Sequence, residues 1–122
     1  MTNEITTAKE QFRDALVDAD IECVEYIPER VIPPVVVINS GSPFLVPETI
    51  GNQYTMNLEL VLIAATATNE TATEELENLI EQTLNALPAY AALQRVDKPF
   101  ALAINNAEYL STNVFVELSI TI

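Results

Sequence analysis

The chain has 122 residues, 49% of them hydrophobic, with eighteen acidic against five basic side chains, no histidine and one cysteine. That is enough chain for one domain with a single core, and too apolar a composition for disorder. A net charge of −13, with Lys9, Arg13, Arg30, Arg95 and Lys98 scattered, disfavours direct binding to nucleic acid, which needs clustered cations to displace counterions.

The lone Cys23 rules out an internal disulfide and a cysteine-rich zinc site. With no histidine to activate it, Cys23 reads as a buried structural thiol. The longest apolar run, Leu60 to Ala65, is far too short to span a bilayer. The opening M-T-N-E-I-T-T-A-K-E carries acid where a secretory signal needs base and apolar length. The expectation is a soluble intracellular protein with no membrane contact.

Ile5, Ala8, Phe12, Ala15, Leu16 and Ala19 recur at helical spacing. Asn3 stands where an N-cap belongs and Glu4 favours the first turn, so a helix is predicted over about 4–18. Glu22 to Ile27 is a short strand stopped by Pro28. The run after Pro33 and Pro34, ending at Ile38, is β-branched and apolar throughout, the pattern of a strand buried on both faces.

Asn39 to Gln53 holds both glycines and two prolines, and reads as a long irregular arm with an apolar tip, Phe44-Leu45-Val46, between Pro43 and Pro47. The tip either folds back on its own core or docks on another subunit. Tyr54 to Ala65 is the longest strand. Its even positions are apolar, while its odd positions pass from Thr55, Asn57 and Glu59 to Val61, Ile63 and Ala65. One end of that strand is therefore wet on one face and the other end is covered on both.

Thr71 to Leu87 is a second helix, with Thr71 and Glu74 spaced as a capping box, a stripe of Leu76, Leu79, Ile80, Leu84 and Leu87, and Pro88 after it. Phe100 to Ile104 forms a strand, and Asn105, Asn106 and Glu108 turn the chain into a closing strand, Asn113 to Ile122. In that last strand Val114, Val116, Leu118, Ile120 and Ile122 share the core face, and Asn113, Phe115, Glu117, Ser119 and Thr121 share the other. The strand pairs within its own sheet or docks on a neighbouring subunit. The sum is one α+β domain over 1–122, a single-layer antiparallel or mixed β-sheet with two helices packed on one face.

Motifs for chemistry are missing: no G-x-G-x-x-G, no Walker loop and no G-x-S-x-G. Asp18, Asp20, Glu22 and Glu29 partly fit a calcium loop, but Cys23 stands where its glycine must be. Glu70, Glu74, Glu75, Glu77 and Glu81 read as a solvated helix face, favourable near a helix start. The expectation is a protein with no catalytic residue, no cofactor and no metal.

The helix, then E-Y-I-P-E-R-V-I-P-P-V-V-V-I (Glu25 to Ile38), a Pro-rich arm, a long strand, a leucine-striped helix ending in A-L-P (Ala86 to Pro88) and a closing hairpin through Glu108-Tyr109-Leu110 follow in an order that resembles the tail terminators of long-tailed bacteriophages, also called tail-completion or head–tail joining proteins. The resemblance covers the whole chain. It implies a structural subunit of the virion, assembled in the host cytoplasm into a ring, expected as a hexamer. The ring caps the finished tail tube, joins it to the head connector and lets DNA pass through without specific binding. On that reading Pro43, Phe44, Leu45, Val46 and Pro47 make the subunit or tube contact. Thr55, Asn57, Glu59, Glu117, Ser119 and Thr121 face the lumen, where acid repels phosphate. Another neck, minor tail or tail-tube-like subunit fits the same residues, as does an acidic adaptor domain unrelated to phage. An enzyme working with carboxylates alone is a further alternative.

Overall fold

The computed structural model describes residues 3–25, 31–49, 51–65, 70–104 and 106–122. Helix α1 spans Glu4–Val17, and Asn3 caps it as expected, its Oδ1 accepting the Thr6 N–H at 2.7 Å. Phe12 and Leu16 carry its buried face. Strand β1 is only Cys23–Val24, and Tyr26 to Arg30, the rest of the strand and proline run read from the sequence, lie outside the described residues.

Strand β2, Val35–Pro47, is three times the length expected from the run ending at Ile38. The stretch read as an irregular arm is therefore largely sheet. It pairs antiparallel with β3, Gln53–Ala65, from Val35↔Ile63 to Pro47↔Tyr54, with a bulge between Ser40 and Leu45. The breaker residues that suggested a loop sit where a bulged outer strand tolerates them. Gly41 is needed there, because a Cβ at that position would stand 3.0 Å from the Asn57 Cβ and from the Asn57 carbonyl oxygen.

Helix α2 is Glu70–Ala86. It begins one residue before Thr71, so Thr71 lies inside its first turn and not at its cap; Asn69 is outside the described residues. Leu76 and Leu79 are buried, Ile80, Leu84 and Leu87 pack at the rim of the core, and Glu70, Glu74, Glu75, Glu77 and Glu81 are exposed. Strand β4, Ala91–Val96, has no counterpart in the sequence reading. Strand β5 is Phe100–Ile104 and strand β6 is Ala107–Thr121. Glu108, read as part of the turn, is already in β6, Ile104 pairs with Ala107, and Asn106 stands at φ 67°, while Asn105, read in the same turn, lies outside the described residues.

The sheet is mixed: β1 runs parallel to β2, and every other pair is antiparallel, in the order β1-β2-β3-β6-β4 with β5 beside the start of β6. Both helices lie on one face, over a core of Val36, Ile38, Met56, Leu58, Leu60, Leu62 and the even residues Val114 to Ile120. The α+β fold class read from the sequence holds. So does the change of character along β3. Val61 and Ile63 join Val35, Val37 and Tyr109 in a second apolar cluster on the other face, and Thr55, Asn57 and Glu59 do not. The closing strand pairs within its own chain, Gln53↔Thr121 to Ala65↔Leu110, and Ile122 lies outside the core at 51% exposure.

Candidate functional site

Period-two geometry puts alternate residues of adjacent strands on one face. The six polar residues singled out on β3 and β6 prove to be neighbours. Thr55 pairs with Ser119, Asn57 with Glu117, and Thr121 stands opposite Gln53. Glu59 lies opposite Phe115, over which the Arg95 guanidinium stacks at 4.0 Å from the ring centroid. The result is one polar stripe on the half of the sheet that faces away from both helices.

Hydrogen bonds order this stripe. Thr55 Oγ1 donates to Glu48 Oε1 at 2.9 Å, and Ser119 Oγ donates to the same oxygen at 3.2 Å. Glu48 sits just after β2, and the sequence reading missed it. Its two partners are seven and seventy-one residues away, so nothing local announces it. With Glu59 and Glu117 it gives the stripe three carboxylates.

The predicted contact segment and the predicted lumen are not separate places. Asn57 Nδ2 donates to the Pro43 carbonyl at 2.8 Å, tying the two together. Phe44 and Leu45 pack against the helix-side core, while Val46 is 39% exposed and Pro43 and Pro47 are exposed. Of the two readings of the apolar tip, Phe44 and Leu45 follow the first, folding onto their own domain, and only Val46 is left to meet anything else.

Other groups bear on reactivity. Cys23 is buried, and burial pushes its thiol up to about 12. Burial, and then the charge of Asp14, raise the Tyr90 phenol. Among the described residues no three of His, Cys, Asp and Glu converge to hold a metal ion, and no helix is long and apolar enough to cross a membrane. What the stripe offers is an ordered, acid-rich polar surface on the sheet, with acceptor oxygens and hydroxyls and with the Arg95 guanidinium at its edge over Phe115. The chain matches no protein-family profile and no curated protein sequence.

Proposed function

We propose that the chain is a structural subunit of a long-tailed phage, forming a ring that caps the tail tube, joins it to the head connector and leaves an acidic channel for DNA. The observation that carries this reading is the polar stripe Thr55–Asn57–Glu59 with Glu117–Ser119–Thr121, joined by Glu48 and left uncovered by the helices. Turned inward in a ring, it lines a channel with carboxylates. A hexamer of this chain carries −78, from −13 per copy, and a channel bearing part of that charge repels phosphate instead of holding it. A conduit for DNA needs weak adhesion of this kind. The protein acts by assembly and electrostatics, without catalysis or cofactor.

Its partners are copies of itself, the tail-tube protein and the connector. Light scattering after size exclusion, with and without assembled tubes of tail-tube protein, tests the reading. The expected result is a ring, free or seated on tube ends. A chain that neither forms rings nor sediments with tubes rules it out.

A further inference from the structure

Among the described residues the outer edges of the sheet are β1, the half of β2 beyond its pairing with β1, β4 and β5. An open edge is a template for another strand, and natural sheets blunt theirs with brevity, proline, bulges or charge. Strand β1 is two residues long. The far half of β2 carries Pro43, Pro47 and a bulge. Strand β4 is bulged between Leu93 and Arg95, and Arg95 is charged. Strand β5, F-A-L-A-I, keeps an unbroken register against β6 and contains neither proline nor charge.

The register fixes which groups of β5 are bare. Ile104 pairs with Ala107 across two residues, so this pair exchanges backbone hydrogen bonds, and by alternation Leu102 and Phe100 do the same with Tyr109 and Ser111. Ala101 and Ala103 therefore turn their N–H and carbonyl groups away from β6. Both alanines are exposed, and their methyl groups leave the edge open to a second backbone. Phe100, Leu102 and Ile104 stand on the face away from the helices and are half-buried, with Leu102 and Ile104 packed at the rim of the second apolar cluster.

We infer that β5 docks β5 of a second copy, antiparallel about a twofold axis at Leu102, with Ala101 opposite Ala103 of the second copy. The strand is self-complementary in this register. Every outward N–H and carbonyl of Ala101 and Ala103 finds a partner, Leu102 meets its own counterpart, and Phe100 meets Ile104. Centring on Ala101 instead would set Ala103 against Pro99, which has no N–H. Centring on Ala103 would carry Ala101 past the end of the other strand. The chosen register joins the rims of two apolar clusters into one row. Two chains of net charge −13 repel, but a charge-free strand opposes no like charges directly. A twofold contact has no head-to-tail sense and does not propagate round a ring. It joins two free copies, or two rings face to face, and stands or falls apart from the ring reading.

Opposed residues that do not exchange backbone hydrogen bonds have Cα atoms about 4.5 Å apart, within disulfide range, and Leu102 would face its counterpart in this way. The test is oxidation of Leu102→Cys, with Ala101→Cys, Ala103→Cys and the wild type, whose Cys23 is buried, as controls. The expected result is linked dimer from Leu102→Cys alone, since neither alanine faces its own counterpart. Sedimentation of the wild type gives a second reading. One strand pair is a small contact, so the expected dissociation constant is about 0.1–1 mM, tightening as salt screens the net charge. Ala103→Pro removes an outward N–H that the fold does not use, so it should weaken the dimer about tenfold or more while leaving the far-UV spectrum unchanged. Linking of Ala101→Cys or Ala103→Cys as fast as Leu102→Cys overturns the inference. So does a wild type that stays monomeric at millimolar concentration, or an Ala103→Pro chain that associates like the wild type. Rings that form while Leu102→Cys stays unlinked overturn it and leave the ring reading standing.

Discussion

Leu45 is where the sequence and the fold disagree most, and it yields a sharp test. If Asn39 to Gln53 were a free arm, truncating its tip would leave stability untouched. In the structure Leu45 stands opposite Met56 in the β2–β3 ladder, and both Phe44 and Leu45 pack on the helix-side core. Full truncation of buried Leu or Phe to Ala costs about 2–5 kcal/mol, and partial burial brings each to roughly half of that, so the double variant Phe44→Ala/Leu45→Ala loses about 3 kcal/mol. For 122 residues an unfolding entropy of about 2.1 cal/mol/K per residue gives about 0.26 kcal/mol/K, hence a Tm lower by about 12 °C. Calorimetry and urea unfolding read this directly, with the exposed Val46→Ala as a control expected to move Tm by no more than about 2 °C. A double variant that melts with the wild type would show that the segment does not belong to the sheet. The same logic makes deletion of Phe44 to Val46 a folding defect first, since it removes the Leu45↔Met56 and Val46↔Thr55 pairs.

Four further outcomes follow from particular side chains. Leu76→Ala on α2, at a position 1% exposed, should cost about 2–5 kcal/mol in urea unfolding, while the exposed Glu77→Ala should stay within about 0.5 kcal/mol. Cys23, raised from 9.0 to about 12 by burial, is far less ionised than a free thiol at neutral pH, so a disulfide reagent should label the folded chain slowly and the urea-unfolded chain at once. Between those two values the folded chain keeps a proton that the unfolded chain has lost, so this thiol lowers stability as pH rises through that window and has no such effect below it; Cys23→Ala should flatten that slope in pH-dependent melting. Glu59→Gln/Glu117→Gln should leave Tm within about 2 °C and make rings retain DNA more strongly at low salt, read by gel shift; equal retention removes these carboxylates from the channel account.

Much of the scaffold was legible because its signals are local. The Asn3 cap, the Phe12–Leu16 face and the switch from Glu59 to Val61 along β3 are each decided within a few residues. The polar stripe was legible for the same reason: parity along two strands placed its six members on one side, and their pairing needed only that β3 and β6 be neighbours. What escaped depends on context. Strand β4, A-A-L-Q-R-V, is exposed on both faces and so has no alternation to read. The far half of β2 carries Gly41, Pro43 and Pro47, which signal a loop in isolation but are tolerated in a bulged strand paired on one side. Glu48 is tied to Ser119 across most of the chain.

Electron microscopy of phage particles assembled without this chain bears most directly on the central claim. The account predicts tails of uncontrolled length and full heads that fail to join them. Particles of normal length with heads attached would contradict it.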